Sequence, residues 1–205
     1  MHTIEWAPFS LAPNATEAQL LAASAAIQPL LQAQPAYQSR QLLKLGAGRY
    51  ADMLHWRSQH EAQETLAALL DTDAFRHYFA LMQTDAAPIW IEPLFTHAHT
   101  AKSIQGLEFS LFRLRPGISE TSLMHAAQHM AASLYQGQPG FEAHMIMRNE
   151  TDPTLLADVV LADSAQHARA LCGRWGQGPF HPDCQDYLDM IDPTTVQLAF
   201  WSRVE

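Results

Sequence analysis

The stretch FRLRPGISETSL, from Phe112 to Leu123, decides the fold because the chain has already stated its pattern once. The segment that begins at Phe9 reads FSLAPNATEAQL and matches it at an offset of 103 residues. The shared positions are a Phe, a Leu, a Pro, a hydroxyl residue followed by Glu, and a second Leu. A hydroxyl residue after turn punctuation can cap the first turn of a helix. Both segments therefore predict a strand, a turn and the start of a helix.

The match continues along the chain, with an offset that grows as insertions in loops allow. Tyr50–Trp56 corresponds to Leu156–Ala162 at an offset of 106 residues. A repeat of about a hundred residues indicates a duplicated domain rather than a solenoid. We therefore predict two repeats, residues 1–97 and 104–205, with a polar linker at His97–Ser103.

Each repeat shows the pattern strand, helix, hairpin, helix, strand. The first strands are Ile4–Leu11 and Leu107–Leu114. Alternating hydrophobic residues then predict a hairpin in each repeat. The hairpin strands are Tyr37–Leu45 and Arg49–Trp56 in the first repeat, and Phe141–Arg148 and Leu155–Ala162 in the second. Pro29 is expected to kink or end the first helix, since proline lacks an N–H. The order βαββαβ is that of a ferredoxin-like unit, whose second sheet face must be buried. We expect an α+β protein of two fused units that form an internal pseudo-dimer.

Composition and charge exclude several classes of protein. The chain has 205 residues, is 48% hydrophobic, and carries a net charge of −9. An acidic chain without a basic stripe is a poor candidate for binding nucleic acid or an anionic membrane. Its apolar runs are far shorter than the roughly 20 residues that span a bilayer, and its start does not resemble a secretory signal. A cytoplasmic location is therefore expected. Cys172 and Cys184 form no disulfide framework or zinc motif.

Three short motifs point to a known family. They are F-x-L-x-P-G with [ST]-E-x-x-L at Phe112–Leu123, QPGF at Gln138–Phe141, and ADMLHWRS at Ala51–Ser58. Together they resemble the dimeric α/β-barrel superfamily, in particular its antibiotic biosynthesis monooxygenase-like group, in tandem-duplicated form. The resemblance covers nearly the whole chain and implies an intramolecular dimeric α/β barrel. The superfamily contains oxygenases, haem-degrading enzymes and isomerases, and the fold alone does not choose among them.

The resemblance helps to separate these activities. The haem-degrading members use an Asn on the first strand, where this chain has Ala7 and Ser110, and His77 does not clearly match their ligand. Other members oxidise aromatic substrates without a cofactor and surround them with Asn, Trp, Tyr and Arg side chains. Trp56, Tyr50 and Arg40 supply three of those four residue types, although no Asn is nearby. This reading implies neither a cofactor nor a catalytic metal.

Strand alternation places a basic and an acidic residue together in each repeat. If the first hairpin turns around Ala47, the even-numbered residues of both its strands share one face. Arg40 and Asp52 are then diagonal neighbours, close enough for an ion pair. His144 and Asp158 hold the matching positions in the second repeat.

These pairs have two interpretations. They could form a polar site in a cavity between the two copies, where His144 would act as a general base near neutral pH. Alternatively, they are structural cross-strand pairs that satisfy buried aspartates, which is the simpler interpretation. The candidate catalytic residues are His144, Asp158, Arg40 and Asp52; the candidate binding residues are Trp56, Tyr50 and Glu108. Glu5, the counterpart of Glu108, could join the network or face water.

Two functions therefore stay open from the sequence. One is a cofactor-independent monooxygenase that acts on a small apolar, aromatic or quinol-type molecule. The other is a non-catalytic ligand-binding or assembly protein of the same fold. A metal site at His125 and His129 is a third idea, since residues four apart share a helix face, but we expect these side chains to be solvated because no third ligand is evident. Further dimerisation of the chain is also open.

Overall fold

The computed structural model describes residues 2–46, 48–84, 86–98, 104–173 and 181–204. The chain divides into two compact units, Met1–Glu92 with Val204–Glu205, and Pro93–Arg203. The repeat boundaries 1–97 and 104–205 stay a prediction.

The first unit has the predicted strand and helix order, with one short strand added. Its elements are β1 (Thr3–Leu11), α1 (Glu17–Gln32), β2 (Tyr37–Gly46), β3 (Arg49–Trp56), α2 (Gln59–Leu69), α3 (Asp73–Ala80), β4 (Met82–Thr84) and the start of β5 (Ile89–Ala98). The pairings described within this unit are antiparallel: β3 pairs with β2 and β1, and β1 pairs with β4 and β5. This is the strand arrangement of a ferredoxin-like sheet.

The second unit repeats this arrangement. Its elements after β5 are β6 (Gly106–Phe112), α4 (Glu120–Met130), a π-helical turn (Ala131–Tyr135), β7 (Phe141–Asn149), β8 (Leu156–Ala162), α5 (Ala165–Cys172), α6 (Pro182–Asp189) and β9 (Gln197–Arg203). Its antiparallel strands lie in the order β7, β8, β6, β9. The predicted α+β class, with two ferredoxin-like units in one chain, is confirmed.

Helix α1 shows why the sequence pattern identified these elements. Thr16 accepts a hydrogen bond from the backbone of Gln19, whose side chain in turn accepts from the Thr16 backbone, so the capping box forms. The buried face contains the residues expected from helical spacing: Leu20, Ser24, Ile27 and Leu31. Of the two expected effects of Pro29, a kink or an end, the helix does not end there, because α1 continues to Gln32. Burial of the flanking Ile27 and Leu31 offsets the one hydrogen bond that proline cannot make.

Two other expectations need correction or lie outside the described residues. The predicted linker at His97–Ser103 starts too early, because β5 runs through Ala98. His97 is half-buried and its ring packs against Phe141 at a centroid distance of 6.1 Å. Residues 99–103 and the expected hairpin turn at Ala47 lie outside the described residues. Within the described part of the chain, no helix is long and apolar enough to cross a membrane.

Candidate functional site

The Arg40–Asp52 pair forms in the first unit as strand alternation predicted. Arg40 lies opposite Leu54, and Leu42 lies opposite Asp52, so the two charged residues are diagonal neighbours. The Arg40 Nε donates to Asp52 Oδ1 over 2.8 Å. Both side chains are largely buried, with exposed fractions of 3% and 10%. The low local dielectric strengthens their attraction, but each charge depends on the other being present.

Hydroxyl groups from two helices extend this pair into a hydrogen-bond network. Arg40 donates to the hydroxyl of Ser24 on α1 over 2.7 Å and to the hydroxyl of Tyr78 on α3. The Tyr78 hydroxyl in turn donates to Asp52 Oδ2 over 2.7 Å. Burial, followed by the charge of Asp52, raises the Tyr78 pKa well above its usual value, so the hydroxyl keeps its proton. The result is a closed network in which Asp52 accepts from two donors.

This network corrects the expected location of the site. The sequence interpretation placed the pair in a cavity between the two copies, whereas Arg40 and Asp52 face α1 and α3 of their own unit. Alternation fixes which side chains share a sheet face, but it does not say which face the helices cover. The lining of the site therefore comes from one unit.

Glu5 on β1 joins this region, which settles one alternative left open by the sequence. The indole Nε1 of Trp56 donates to Glu5 Oε2 over 3.0 Å. Within the described residues, Glu5 Oε1 has no hydrogen-bond partner. Burial raises the Glu5 pKa to about 7; the hydrogen bond from Trp56 opposes that rise, and the charge of Asp52 adds to it. A carboxyl with this pKa can take up and release a proton near neutral pH.

A cavity of about 260 Å³ lies beside these groups, between the sheet and the helices of the first unit. Glu5, Arg40, Asp52 and Tyr78 contribute polar atoms to its wall. Most of the remaining wall is apolar and includes Ile27, Leu31, Leu54, Leu66, Phe75 and Met82. Leu70 and Phe79 also line the cavity and are 45% and 40% exposed, so they mark its opening. An apolar pocket with a few converging polar groups is typical of small-molecule sites.

Two of the predicted binding residues lie elsewhere in the first unit. The hydroxyl of Tyr50 donates to Glu17 Oε2 over 2.9 Å, and Lys44 binds the same carboxylate. Burial and the neighbouring Glu17 raise the Tyr50 pKa to about 12. Neither Tyr50 nor the fully buried Trp56 belongs to the cavity wall. Trp56 reaches the site only through Glu5.

The second unit carries the same arrangement with different side chains. In this unit, Asp158 lies opposite Ser110 on β6 and opposite Ile146 on β7. In the first unit, Asp52 lies opposite Ala7 on β1 and opposite Leu42 on β2 in the same way. His144 thus stands where Arg40 does. The His144 Nε2 lies 3.0 Å from Asp158 Oδ1, and both side chains are fully buried.

A tyrosine from the following helix completes this second network. The hydroxyl of Tyr187 on α6 donates to Asp158 Oδ2 over 2.5 Å, as Tyr78 donates to Asp52. The ring of Tyr135 packs edge-on against His144, with centroids 5.4 Å apart. The imidazole is therefore enclosed by protein, and the candidate base His144 has no exposed surface.

Glu108 is the counterpart of Glu5 and differs from it. Its side chain is fully buried, and within the described part of the chain neither oxygen makes a hydrogen bond with full geometry. The nearby Ser110 side chain and Val160 backbone oppose, as smaller effects, the rise in the Glu108 pKa that burial causes. Burial, followed by repulsion from Asp158, raises the Glu108 pKa well above its usual value. Burial therefore favours the neutral form of this carboxyl.

Sequence reasoning found the charged members of both networks but missed their tyrosines. Tyr78 occurs in FRHYF (Phe75–Phe79) and Tyr187 in CQDYL (Cys184–Leu188). Tyr is the fourth residue of each stretch, and each stretch precedes the last strand of its repeat. That repeated Tyr was the signal that would have identified the aspartate's partner.

The metal idea receives no support from the described residues. His125 and His129 lie on the exposed side of α4, beside Asp183 and Asp186 of α6. Among the side chains that the structure describes, no group of three or more His, Cys, Asp or Glu residues is arranged to hold a metal ion.

No protein-family model and no curated protein matches the sequence. Solved structures match it along its length. An anthrone oxidase-like protein is 13% identical, with a TM-score of 0.64 over 100% of this chain and 92% of that chain. A mutant chlorite dismutase from Candidatus Nitrospira defluvii is 8% identical, with a TM-score of 0.66 over 100% and 91%.

A third solved structure is related to the group of proteins that the sequence motifs resemble. It is a ferredoxin-fold protein from Listeria monocytogenes related to antibiotic biosynthesis monooxygenases, 10% identical, with a TM-score of 0.54 over 100% of this chain and 96% of that chain. At these identities the likeness concerns the fold and not the activity. The predicted ferredoxin-like fold, which this monooxygenase-related protein shares, is thereby confirmed.

Proposed function

We propose that the first unit binds a small, largely apolar aromatic molecule in its cavity and oxidises it with dioxygen, without a cofactor. The observation that carries this proposal is Glu5, a carboxyl with a pKa of about 7 in the wall of an otherwise mainly apolar cavity. A base in such a place can ionise a phenol or an enolisable ketone. The role first given to His144 moves to Glu5, because His144 is enclosed by protein.

The reaction can be written so that atoms and electrons balance. Glu5 removes a proton from the substrate and leaves an electron-rich carbanion or phenolate. This anion transfers one electron to dioxygen, and the resulting radical pair combines into a peroxide at the activated carbon. Loss of water then leaves a carbonyl group, so that a CH₂ group and O₂ yield C=O and H₂O. The substrate is its own reductant, and Glu5 returns the proton to the departing oxygen.

The neighbouring network has a supporting role in this chemistry. Arg40 is held by Asp52, Ser24 and Tyr78, so its charge is fixed in the cavity wall. Preorganised charge stabilises a developing anion without reorganisation during the reaction. Asp52 keeps Arg40 in place and also raises the Glu5 pKa. Arg40 and Asp52 therefore stay in the proposed site as electrostatic groups rather than as a base.

The likeness to an anthrone oxidase-like protein supplies a probe substrate. Anthrone has a CH₂ group that is acidic because two aromatic rings conjugate it with the carbonyl across the central ring, and its oxidation to anthraquinone follows the balance above. We expect the purified protein to accelerate oxygen uptake by anthrone, measured with an oxygen electrode against a protein-free blank. Glu5→Gln should lose at least about a hundredfold of that activity, as expected for removal of a general base. Glu64→Gln is the matched control, since Glu64 is exposed on α2.

A non-catalytic binding protein is the second candidate. One observation favours it: Arg40, Asp52 and Tyr78 satisfy one another within the protein. In that case anthrone would bind in the cavity but oxygen uptake would not exceed the blank. Equal oxygen uptake by the parent protein and by Glu5→Gln would likewise remove Glu5 from the chemistry.

A further inference from the structure

Trp56 stands at the end of β3 and makes one polar contact with the proposed site. Thr3 lies opposite Trp56 and Glu5 lies opposite Leu54, so Trp56 and Glu5 are diagonal neighbours on one sheet face. The indole N–H donates to Glu5 Oε2 over 3.0 Å. The ring has no exposed surface, and Tyr37 packs edge-on against it at 5.9 Å. Trp56 can therefore act on a ligand only through Glu5.

The second unit shows what the site becomes without this donor. In the second unit, Gly106 lies opposite Ala162 and Glu108 lies opposite Val160. In the first unit, the corresponding pairs are Thr3 with Trp56 and Glu5 with Leu54. Ala162 thus stands at the position of Trp56, and it has no side-chain donor.

Glu108, the carboxyl of the second unit, differs from Glu5 as the loss of this donor predicts. Among the described residues, neither oxygen of Glu108 has a hydrogen bond with full geometry, while Glu5 keeps the bond from Trp56. Both carboxyls are buried on the first strand of their unit, and both have a buried aspartate nearby. The two units therefore form an internal comparison in which the indole donor is one clear difference.

We propose that Trp56 is a positioning residue, whose N–H fixes the Glu5 carboxyl at the cavity wall and stabilises its ionised form, and that Ala162 leaves the second unit without a working base. The inference rests on the proposed role of Glu5 as a base. A hydrogen bond to a charged acceptor favours the charged form more than the neutral one. Trp56 thus keeps Glu5 ionisable near neutral pH, against the effect of burial.

The test follows the titration of Glu5 directly. The side-chain carboxyl carbons of ¹³C-labelled glutamate are recorded by NMR as a function of pH, with Glu5 assigned by its absence in Glu5→Gln. We expect Trp56→Phe, which keeps most of the ring and removes the N–H, to raise the Glu5 midpoint by about one pH unit or more. Anthrone oxidation should then fall roughly fivefold at pH 7 and recover almost fully at pH 9.

A packing effect is separated from the hydrogen bond by Tyr37→Leu, which loosens the wall around Trp56 but keeps the N–H. An equal shift of the Glu5 midpoint in Tyr37→Leu would overturn the proposal. So would an unchanged midpoint in Trp56→Phe, whatever the activity. If Trp56→Phe does not fold, benzothienylalanine at position 56 removes the N–H from a ring of nearly the same shape. A midpoint that moves as expected in a protein inert towards anthrone supports the role of Trp56 and rejects the oxygenase.

Discussion

The hydroxyl of Tyr187 donates to Asp158 Oδ2 over 2.5 Å, and this bond has a counterpart in the other unit, where Tyr78 donates to Asp52 Oδ2 over 2.7 Å. The basic partner of each aspartate differs, since Arg40 in one unit is replaced by His144 in the other. The tyrosine–aspartate bond is thus the common element. The bond connects α3 to β3 in the first unit and α6 to β8 in the second.

We expect Tyr78→Phe and Tyr187→Phe each to destabilise the fold by about 1–3 kcal/mol, because each leaves a buried carboxylate oxygen without its donor. The free energy of unfolding is measured by urea denaturation followed by circular dichroism. Tyr37→Phe is the control: its hydroxyl accepts a bond from Gln28 in a partly buried place, so a smaller loss is expected. Stability equal to the parent in both variants would show that the bonds contribute nothing.

The Arg40–Asp52 pair should behave as a buried ion pair. Arg40→Ala removes the counter-charge of Asp52 and the hydrogen bonds to Asp52, Ser24 and Tyr78, and we expect a loss of about 3–5 kcal/mol. The double variant with Asp52→Ala should lose less than the sum of the single variants, since it leaves no isolated charge. Urea denaturation of all four proteins completes the cycle. Arg57→Ala serves as a surface control, because the Arg57–Glu61 pair is exposed and should contribute less than about 1 kcal/mol. Additive losses in the cycle would contradict a coupled pair.

The raised pKa of Glu5 predicts how its replacement changes stability with pH. The folded protein holds the Glu5 proton up to a pKa of about 7, whereas the unfolded chain releases it near 4.5. The folded state therefore binds more protons between these values, and the contribution of Glu5 to stability falls as pH rises through that window. Glu5→Gln should thus gain stability relative to the parent from pH 4 to pH 8, by at most about 3 kcal/mol. Thermal denaturation across pH measures this gain, and Glu64→Gln, which replaces an exposed carboxyl, is the surface control. A constant difference between parent and Glu5→Gln would mean that burial does not shift this carboxyl.

The sequence predicted more of the fold than of the site, and particular residues show why. Alternation along β2 and β3 was enough to place Arg40 beside Asp52, because strand register is a local property. It could not show that α1 and α3 cover this face, since that depends on how helices from distant parts of the chain pack. The Glu5 pKa could not be read from the sequence either, because it arises from burial and from Trp56, which is 51 residues away. Pro29 illustrates the same limit, since α1 continues past a residue whose local preference is against helix.

The opening of the cavity gives the last prediction. Leu70 and Phe79 line the cavity and stay substantially exposed, so a charge at Leu70 should hinder entry and binding of an apolar ligand without disturbing the core. We expect Leu70→Glu to weaken anthrone binding about tenfold, as loss of one apolar contact and desolvation of a carboxylate would do. Binding is measured by quenching of tryptophan fluorescence under anaerobic conditions, which prevents oxidation. Ile118→Glu is the control, because Ile118 is an exposed apolar residue of the second unit. Equal weakening in both variants, or none in Leu70→Glu, would place the ligand elsewhere.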